Sequence, residues 1–243
     1  MPQAIRTATS TSTSTATGLP CGFAGFAPAV FEWFAGLERD NSKLYFATTR
    51  ELYETEVRGA LEGMLDKLSE SFGGEVKMFR QHRDVRFSAD KSPYKTSTYG
   101  LLTGNPATGA GLYAALSSGG LYAGTGYYQM APDQLERFRD AVNDDAGGTH
   151  LTHAVRAAER GRLELAGATL RTAPRGYRRD HPRIDLLRRK AIIAGRALPG
   201  AHGVTSGAAL EHVASTWCSA TPLNAWLERY VGPSSTGSGP TTR

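Results

Sequence analysis

Cysteine is nearly missing from this chain. Cys21 and Cys218 are the only two in 243 residues. Two thiols so far apart match no zinc spacing, which draws four ligands from Cys and His at short intervals. The pair reads as two inert thiols of a reduced chain. Long apolar runs are missing as well. None approaches the roughly 18 residues that a membrane-crossing helix needs, so no membrane partner is expected. The opening stretch MPQAIRTATSTSTSTATG has no apolar centre and does not form a secretory signal. Excess charge is also scarce. The formal net charge is +5. Setting aside Arg6 and Arg243, the 28 bases become 26, facing 23 acids. So small a surplus is thin ground for a nucleic-acid partner, and local clustering has to carry any such argument. These absences point to a soluble, cytoplasmic protein.

What is present suffices for a core. Apolar residues make up 40% and aromatics 9%, ordinary values for a globular chain. Val30, Phe31, Phe34 and Leu37 recur at helical spacing behind Pro28, and Glu38–Ser42 makes a polar break. A longer helix is expected over about Thr48 to Phe72, on the stripe Tyr53, Val57, Leu61, Met64, Leu65 and Leu68, with Gly73-Gly74 ending it. EVKMFRQHRDVRF, GLYAALSS and GLYAGTGYY are short, punctuated by glycine and rich in strand formers. APDQLERFRDAV and THLTHAVRAAER return to helix. RLELAG and ATLRTAP read as a short strand pair, HPRIDLLRRK as a short helix and AIIAGRAL as a strand. Two helices close the chain, on Leu210, Val213 and Trp217, then on Leu223, Trp226, Leu227 and Tyr230. The expectation is one α+β domain over 21–231, a mainly antiparallel sheet flanked by helices, with disordered tails at 1–20 and 232–243.

Several familiar signatures nearly form. His82-Arg83-Asp84 spells a kinase catalytic tripeptide, but Ala89 stands where that motif needs Asn and no Asp-Phe-Gly follows. Ser88-Ala89-Asp90-Lys91 spells an acylating Ser–Lys pair, which must open a helix that Pro93 forbids. Gly109–Ala114 matches a dinucleotide fingerprint, yet a loop precedes it and a strand-like run follows, so it reads as a hairpin. Gly104 to Gly109 has phosphate-loop spacing without the lysine.

The charge clusters in two places. RDVRFSADKSPYK spans Arg83 to Lys95. If Phe79 to Ser88 were one strand, alternation would set Arg80, His82, Asp84, Arg86 and Ser88 on one face. Val76 and Met78 share that parity, so a bulge or a strand start near Phe79 is required. Asp90, Ser92 and Pro93 then form a stiff turn presenting Lys91, Tyr94 and Lys95. The second cluster is RTAPRGYRRDHPRIDLLRRK. A short helix capped by Asp180 or His181, with arginines at its negative end, accounts for most of those charges but leaves Arg175 unexplained. Ion pairing alone is the plain alternative for both clusters.

RDVRFSADKSPYK together with PRGYRRDHP closely resembles the family catalogued as domain of unknown function 2461, found in bacteria and fungi. GFAGF, Asp40-Asn41 with Tyr53-Glu54, the run GLYAALSSGGLYAGTGYYQMAPDQLERFR, and PLNAWL are similar to the same family. The likeness covers about Gly22 to Tyr230. Asp40 stands where the family usually has Asn, and Tyr45-Phe46 where a Trp-Phe pair is common. The resemblance implies no activity, catalytic residue or cofactor.

The leading expectation is therefore a basic pocket for a phosphate-like or nucleotide-like anion. Arg80, Arg83, Arg86, Lys91, Lys95 and Arg175 would grip the ligand, with Asp84 and Tyr94 orienting it. Asp84, His82 and His181 are the candidates for proton transfer. One alternative is metal-assisted phosphoester chemistry on converging Asp84, Asp90 and Asp180. Another is a nucleic-acid-binding protein, which needs an open basic stripe with exposed Tyr or Trp.

Overall fold

A computed structural model describes residue 23, residues 25–104, 109–200, 204 and 207–235. The expected tail 1–20, residues 236–243 of the expected tail 232–243, Cys21 and residues 105–108 lie outside the described residues. Helix α1 (Pro28–Arg39) opens on its proline and buries Val30, Phe31, Phe34 and Leu37. Helix α2 (Lys43–Thr48) follows the polar break, where the Ser42 hydroxyl accepts the Tyr45 N–H at 3.1 Å. This short helix was not legible in the sequence.

The long helix expected over Thr48–Phe72 is interrupted. Helix α3 (Arg50–Leu52) runs into a π-helical turn at Tyr53–Gly59 before helix α4 (Ala60–Phe72) resumes. Gly59 suits the wider turn, because a Cβ there would come within 2.9 Å of the Glu54 carbonyl oxygen. The apolar stripe persists through it, and Leu61, Met64, Leu65 and Leu68 are fully buried. Each such side chain contributes about 1.5–3 kcal/mol of transfer free energy. Gly73, with φ of 70°, terminates α4.

Strands β1 (Glu75–Met78), β2 (Ser97–Thr103), β3 (Gly111–Ser117), β4 (Gly120–Tyr127), β5 (Glu164–Ala166) and β6 (Ile192–Pro199) form one antiparallel sheet. Their order is β1-β2-β3-β4-β6-β5. Two strand expectations change. EVKMFRQHRDVRF gives only the four residues of β1. RLELAG pairs with β6, through Leu165 opposite Ala194, and not with ATLRTAP. The dinucleotide look-alike is strand β3 of a hairpin.

Helix α5 (Pro132–Asn143) starts where Gln134 reaches back to the Ala131 N–H at 3.0 Å. Helix α6 (Asp145–Arg160) is capped by Asp144, which accepts the Gly147 N–H at 2.7 Å. After α7 (Ile184–Leu187), helices α8 (Ala208–Ser219) and α9 (Thr221–Tyr230) close the fold. Helices α1, α4 and α8 pack on the sheet face that carries Leu102, Leu112, Ala114, Leu116, Leu121 and Ala123, all buried. A second core joins α5, α6 and α9 to Tyr127, Ile192 and Ala194.

The result is a single α+β domain. Packing continues past residue 231, since Asp133 accepts the Ser235 N–H at 2.7 Å and Arg137 donates to Pro233 O at 2.7 Å. Hydrogen bonding to the Ser235 N–H, the Ser234 and Ser235 hydroxyls and Arg137 holds the Asp133 carboxyl well below the usual carboxylate range. Among the described residues, no helix is long and apolar enough to cross a membrane.

Candidate functional site

The opening charged segment does not continue β1. Phe79 N–H still donates to Tyr99 O at 3.1 Å, but the ladder then breaks as Gln81 turns inward, 3% exposed. The chain pairs again where Lys95 N–H meets Gln81 O at 2.9 Å and Arg83 N–H meets Pro93 O at 2.8 Å. Residues 84–92 form a loop between these contacts, so the strand expected over Phe79–Ser88 is corrected. A buried glutamine, inserted where an alternating strand would continue, changes its parity.

Most of the loop's charges brace the loop. The Arg83 guanidinium pairs with Asp90 and reaches Ser92 O at 3.3 Å. Arg86 grips Asp84 through Nε at 2.9 Å and Nη2 at 2.6 Å. Lys91 Nζ donates to Val85 O at 3.0 Å, and Lys95 Nζ to Arg80 O at 2.8 Å. The Arg86 fork holds the Asp84 carboxyl down at about 2. Hydrogen bonds from Ser92, reinforced by Arg83, depress Asp90 as well. The outcome at the tip is Phe87, 98% exposed.

Beside this loop lies a cleft of about 440 Å³. Its floor is aromatic. Phe46 stacks on Tyr94 with centroids 4.2 Å apart, and the His82 ring lies 4.8 Å from Tyr94. Asn41 fixes Tyr94 by clamping its backbone, accepting its N–H at 3.0 Å and donating to its carbonyl at 3.2 Å. Tyr53 joins the floor from the π-helical turn, and burial raises its phenol to about 12. Gln81 ties the parts together. Its carbonyl accepts Thr98 Oγ1 at 2.8 Å and Tyr53 Oη at 3.4 Å, while its amide donates to Lys95 O.

The cleft's walls carry Lys43, Arg50, Arg58 and Arg80 against one carboxylate, Glu54. Arg58 pairs with Glu62 at 3.1 Å, and Arg50 approaches Glu54 only to 4.0 Å. Among the described residues Lys43 makes no ion pair. Of the residues singled out in the sequence, Arg80, His82 and Tyr94 line this cleft. Arg83, Arg86 and Lys91 point their donors into the loop, and Lys95 turns to Arg80 O and the Tyr99 hydroxyl. Lys43, Arg50 and Arg58 were missed. A signal existed, since Arg50, Glu54 and Arg58 follow one another at four-residue spacing on one helix face.

Arg175 does not join them. It is exposed, in a turn closed by Tyr177 N–H to Pro174 O, and Tyr177 reaches Asp140 of α5 at 3.2 Å. That segment packs beside β5 and α5, whereas the cleft lies beyond β1, at the opposite edge of the sheet. Five strand spacings of roughly 4.8 Å separate the two edges. His181 is likewise remote, its Nδ1 accepting the Arg183 N–H at 3.0 Å. Arg183 meets the carbonyl end of α5, donating to Val142 O at 2.8 Å and Asn143 O at 3.1 Å, where a cation is favoured. The three candidate metal carboxylates do not converge. Asp84, Asp90 and Asp180 are each held by their own arginine, Arg86, Arg83 and Arg178. Among the described residues no group of three or more His, Cys, Asp or Glu side chains is placed to hold a metal ion.

These features define a single-domain α+β protein with helices packed on one face of an antiparallel sheet. The family model described as "Conserved hypothetical protein (DUF2461)" matches residues 29–226, and the chain belongs to that family. No curated protein and no solved structure matches it.

Proposed function

We propose that the cleft beside α2 and the π-helical turn binds an anionic small molecule of the phosphate-ester or nucleotide-like class. The observation that carries this reading is the lining: Lys43, Arg50, Arg58 and Arg80 surround the cleft with Glu54 as the one carboxylate among its lining residues, while Arg58 also pairs with Glu62 outside it. Guanidinium forks suit phosphate oxygens, and an ammonium adds a point charge. The aromatic floor keeps water from one side and strengthens those contacts. A π-helical turn in the wall adds support, because such turns concentrate at functional sites. Asp84, Arg86 and Lys91 belong to the brace of the rim, outside the ligand's reach.

A thermal-shift titration with inorganic pyrophosphate and nucleoside phosphates tests the reading. At a hundredfold excess over Kd, ligand should add about 2.7 kcal/mol of stability to the wild type. Arg50→Gln and Lys43→Gln should abolish most of that shift, while Lys91→Gln leaves it intact. A wild type indifferent to every phosphate, or an Arg50→Gln variant that responds equally, overturns the proposal.

A further inference from the structure

A second hollow lies between α6 and α9, on the core that joins these helices to α5. The cleft of Lys43 and Arg50 is built on the other core, through Phe46, Tyr53 and Tyr94. Short side chains open the hollow. Ala154 of α6 lines it with Pro222 and Ala225 of α9, and the space left measures about 320 Å³. Pro222, Ala225, Trp226 and Arg229 fall at i, i+3, i+4 and i+7, which is one face of a helix. Trp226 is buried at the base, where its Nε1 donates to Gly147 O at 2.9 Å and its ring stacks on Tyr230 with centroids 5.1 Å apart.

Nitrogen donors stand around the rim. His150 and His153 are three residues apart on α6, so they share a face of that helix. His150 Nδ1 lies 3.0 Å from the Tyr230 hydroxyl. A phenol donating to Nδ1 fixes the ring proton on Nε2, which makes no bond to any described residue. Arg229 supplies the one permanent charge, with its guanidinium 5.3 Å from the Tyr230 ring centre. Among the described residues neither Arg229 nor His153 forms an ion pair, and no carboxylate lines the hollow. These donors are therefore open to a ligand.

We propose that this hollow binds a small monocarboxylic acid with an apolar body about one ring in size. The carboxylate meets Arg229 and the two imidazoles, and the body lies on Ala154, Pro222 and Ala225. Charge and polarity both select a monoanion. One guanidinium matches one carboxylate. A phosphate ester would bring more charge onto a lining that is largely hydrocarbon, and the cost of desolvation opposes it. The cleft, with its four bases, suits such polyanions instead. A metal ion fits poorly, because Arg229 repels it and two histidines leave its coordination incomplete. The volume stands at the small end for ligand pockets, which limits the size of the body.

Titrating the full chain with sodium phenylacetate at fixed pH, read by NMR of the imidazole Cε1–Hε1 signals, tests this. The signals of His150 and His153, assigned with His150→Gln and His153→Gln, should shift together and saturate with a Kd on the order of 1 mM. Benzyl alcohol lacks the charge and acetate lacks the ring, and each should bind at least about tenfold more weakly. Arg229→Gln should weaken phenylacetate about 10- to 100-fold. Ala225→Leu, at an exposed position, should fill the hollow and abolish the shifts. Arg50→Gln should leave the Kd unchanged. Thermal unfolding of each variant checks that the fold is kept. The proposal is overturned if neither signal moves by about 10 mM phenylacetate, ten times the expected Kd. Benzyl alcohol binding as tightly, or a folded Arg229→Gln or Ala225→Leu protein binding as wild type does, overturns it too. Pyrophosphate shifting the same signals at lower concentration would assign the hollow to polyanions and overturn it equally.

Discussion

Replacing Gln81 by leucine should destabilise this protein by about 3–5 kcal/mol, though the two side chains are nearly equal in size. Gln81 is 3% exposed and its partner Thr98 is 1% exposed. The substitution removes an acceptor from the Thr98 hydroxyl at 2.8 Å and a weaker one from Tyr53 Oη at 3.4 Å. It also takes a donor from the Lys95 carbonyl. A buried polar group left without a partner costs about 1–3 kcal/mol. Thr98 incurs that cost in full, while the half-buried Lys95 carbonyl and the longer Tyr53 contact each add less. Leucine leaves no large cavity, so little of the loss comes from packing.

Urea unfolding reads this directly. With a slope near 3 kcal/mol per molar, the midpoint should fall by about 1–2 M at unchanged slope. Thr98→Val supplies the second arm of a double-mutant cycle. Once Gln81 is gone Thr98 has already lost its partner, so the double variant should be about 1–2 kcal/mol less destabilised than the sum of the singles. A Gln81→Leu loss below about 1 kcal/mol, or additivity within about 0.5 kcal/mol, would refute the claim that this glutamine knits β2, the π-helical turn and the loop together.

Two more outcomes follow from the same corner. Asn41→Ala removes both hydrogen bonds to the Tyr94 backbone, at 3.0 and 3.2 Å, and should cost about 1–3 kcal/mol; Asn41→Asp keeps only the acceptor and should fall between, so urea midpoints out of that order would count against the clamp. Burial raises Tyr53 from the ordinary 10.0 to about 12. The folded state then keeps a proton that the unfolded chain releases, and stability is present below about pH 10 and declines as pH rises toward about 12, by up to about 3 kcal/mol; Tyr53→Phe should flatten that decline in pH-dependent urea unfolding.

Much of the scaffold was legible because burial and hydrophobic period agree. Helix α1 buries the residues its stripe names, and the two glycine-punctuated strands β3 and β4 pair as a hairpin. Strand β2 was not legible, because it buries Thr98, Gly100 and Leu102 while turning Tyr99 and Leu101 outward. Its more apolar face is the one left half-exposed, so the pattern gives no inward signal. The π-helical turn escaped for another reason: it lengthens one turn without breaking the stripe of Tyr53, Val57 and Leu61. Of the residues lining the cleft, Arg80, His82 and Tyr94 stood out in the sequence through crowding of charge. Arg50, Glu54 and Arg58 were passed over because opposite charges four apart read as routine helical support.

The motif RDVRFSADKSPYK and its flank divide labour between two kinds of polar group. Its ion pairs are exposed, and such pairs contribute about 0–1 kcal/mol each. They cannot hold the fold up. What they can do is select one shape for residues 84–92 from the many open to a solvated loop, because Arg83, Arg86, Lys91 and Asp90 each bind a partner within the same segment. Gln81 and Asn41, one buried and one half-buried, instead bind across elements distant in sequence. Stability therefore resides in the uncharged amides beside the motif, and rim geometry in the charges within it. Arg80 and His82 stand where these two systems meet, which lets a rigid core position the cleft while the braced loop shapes its edge.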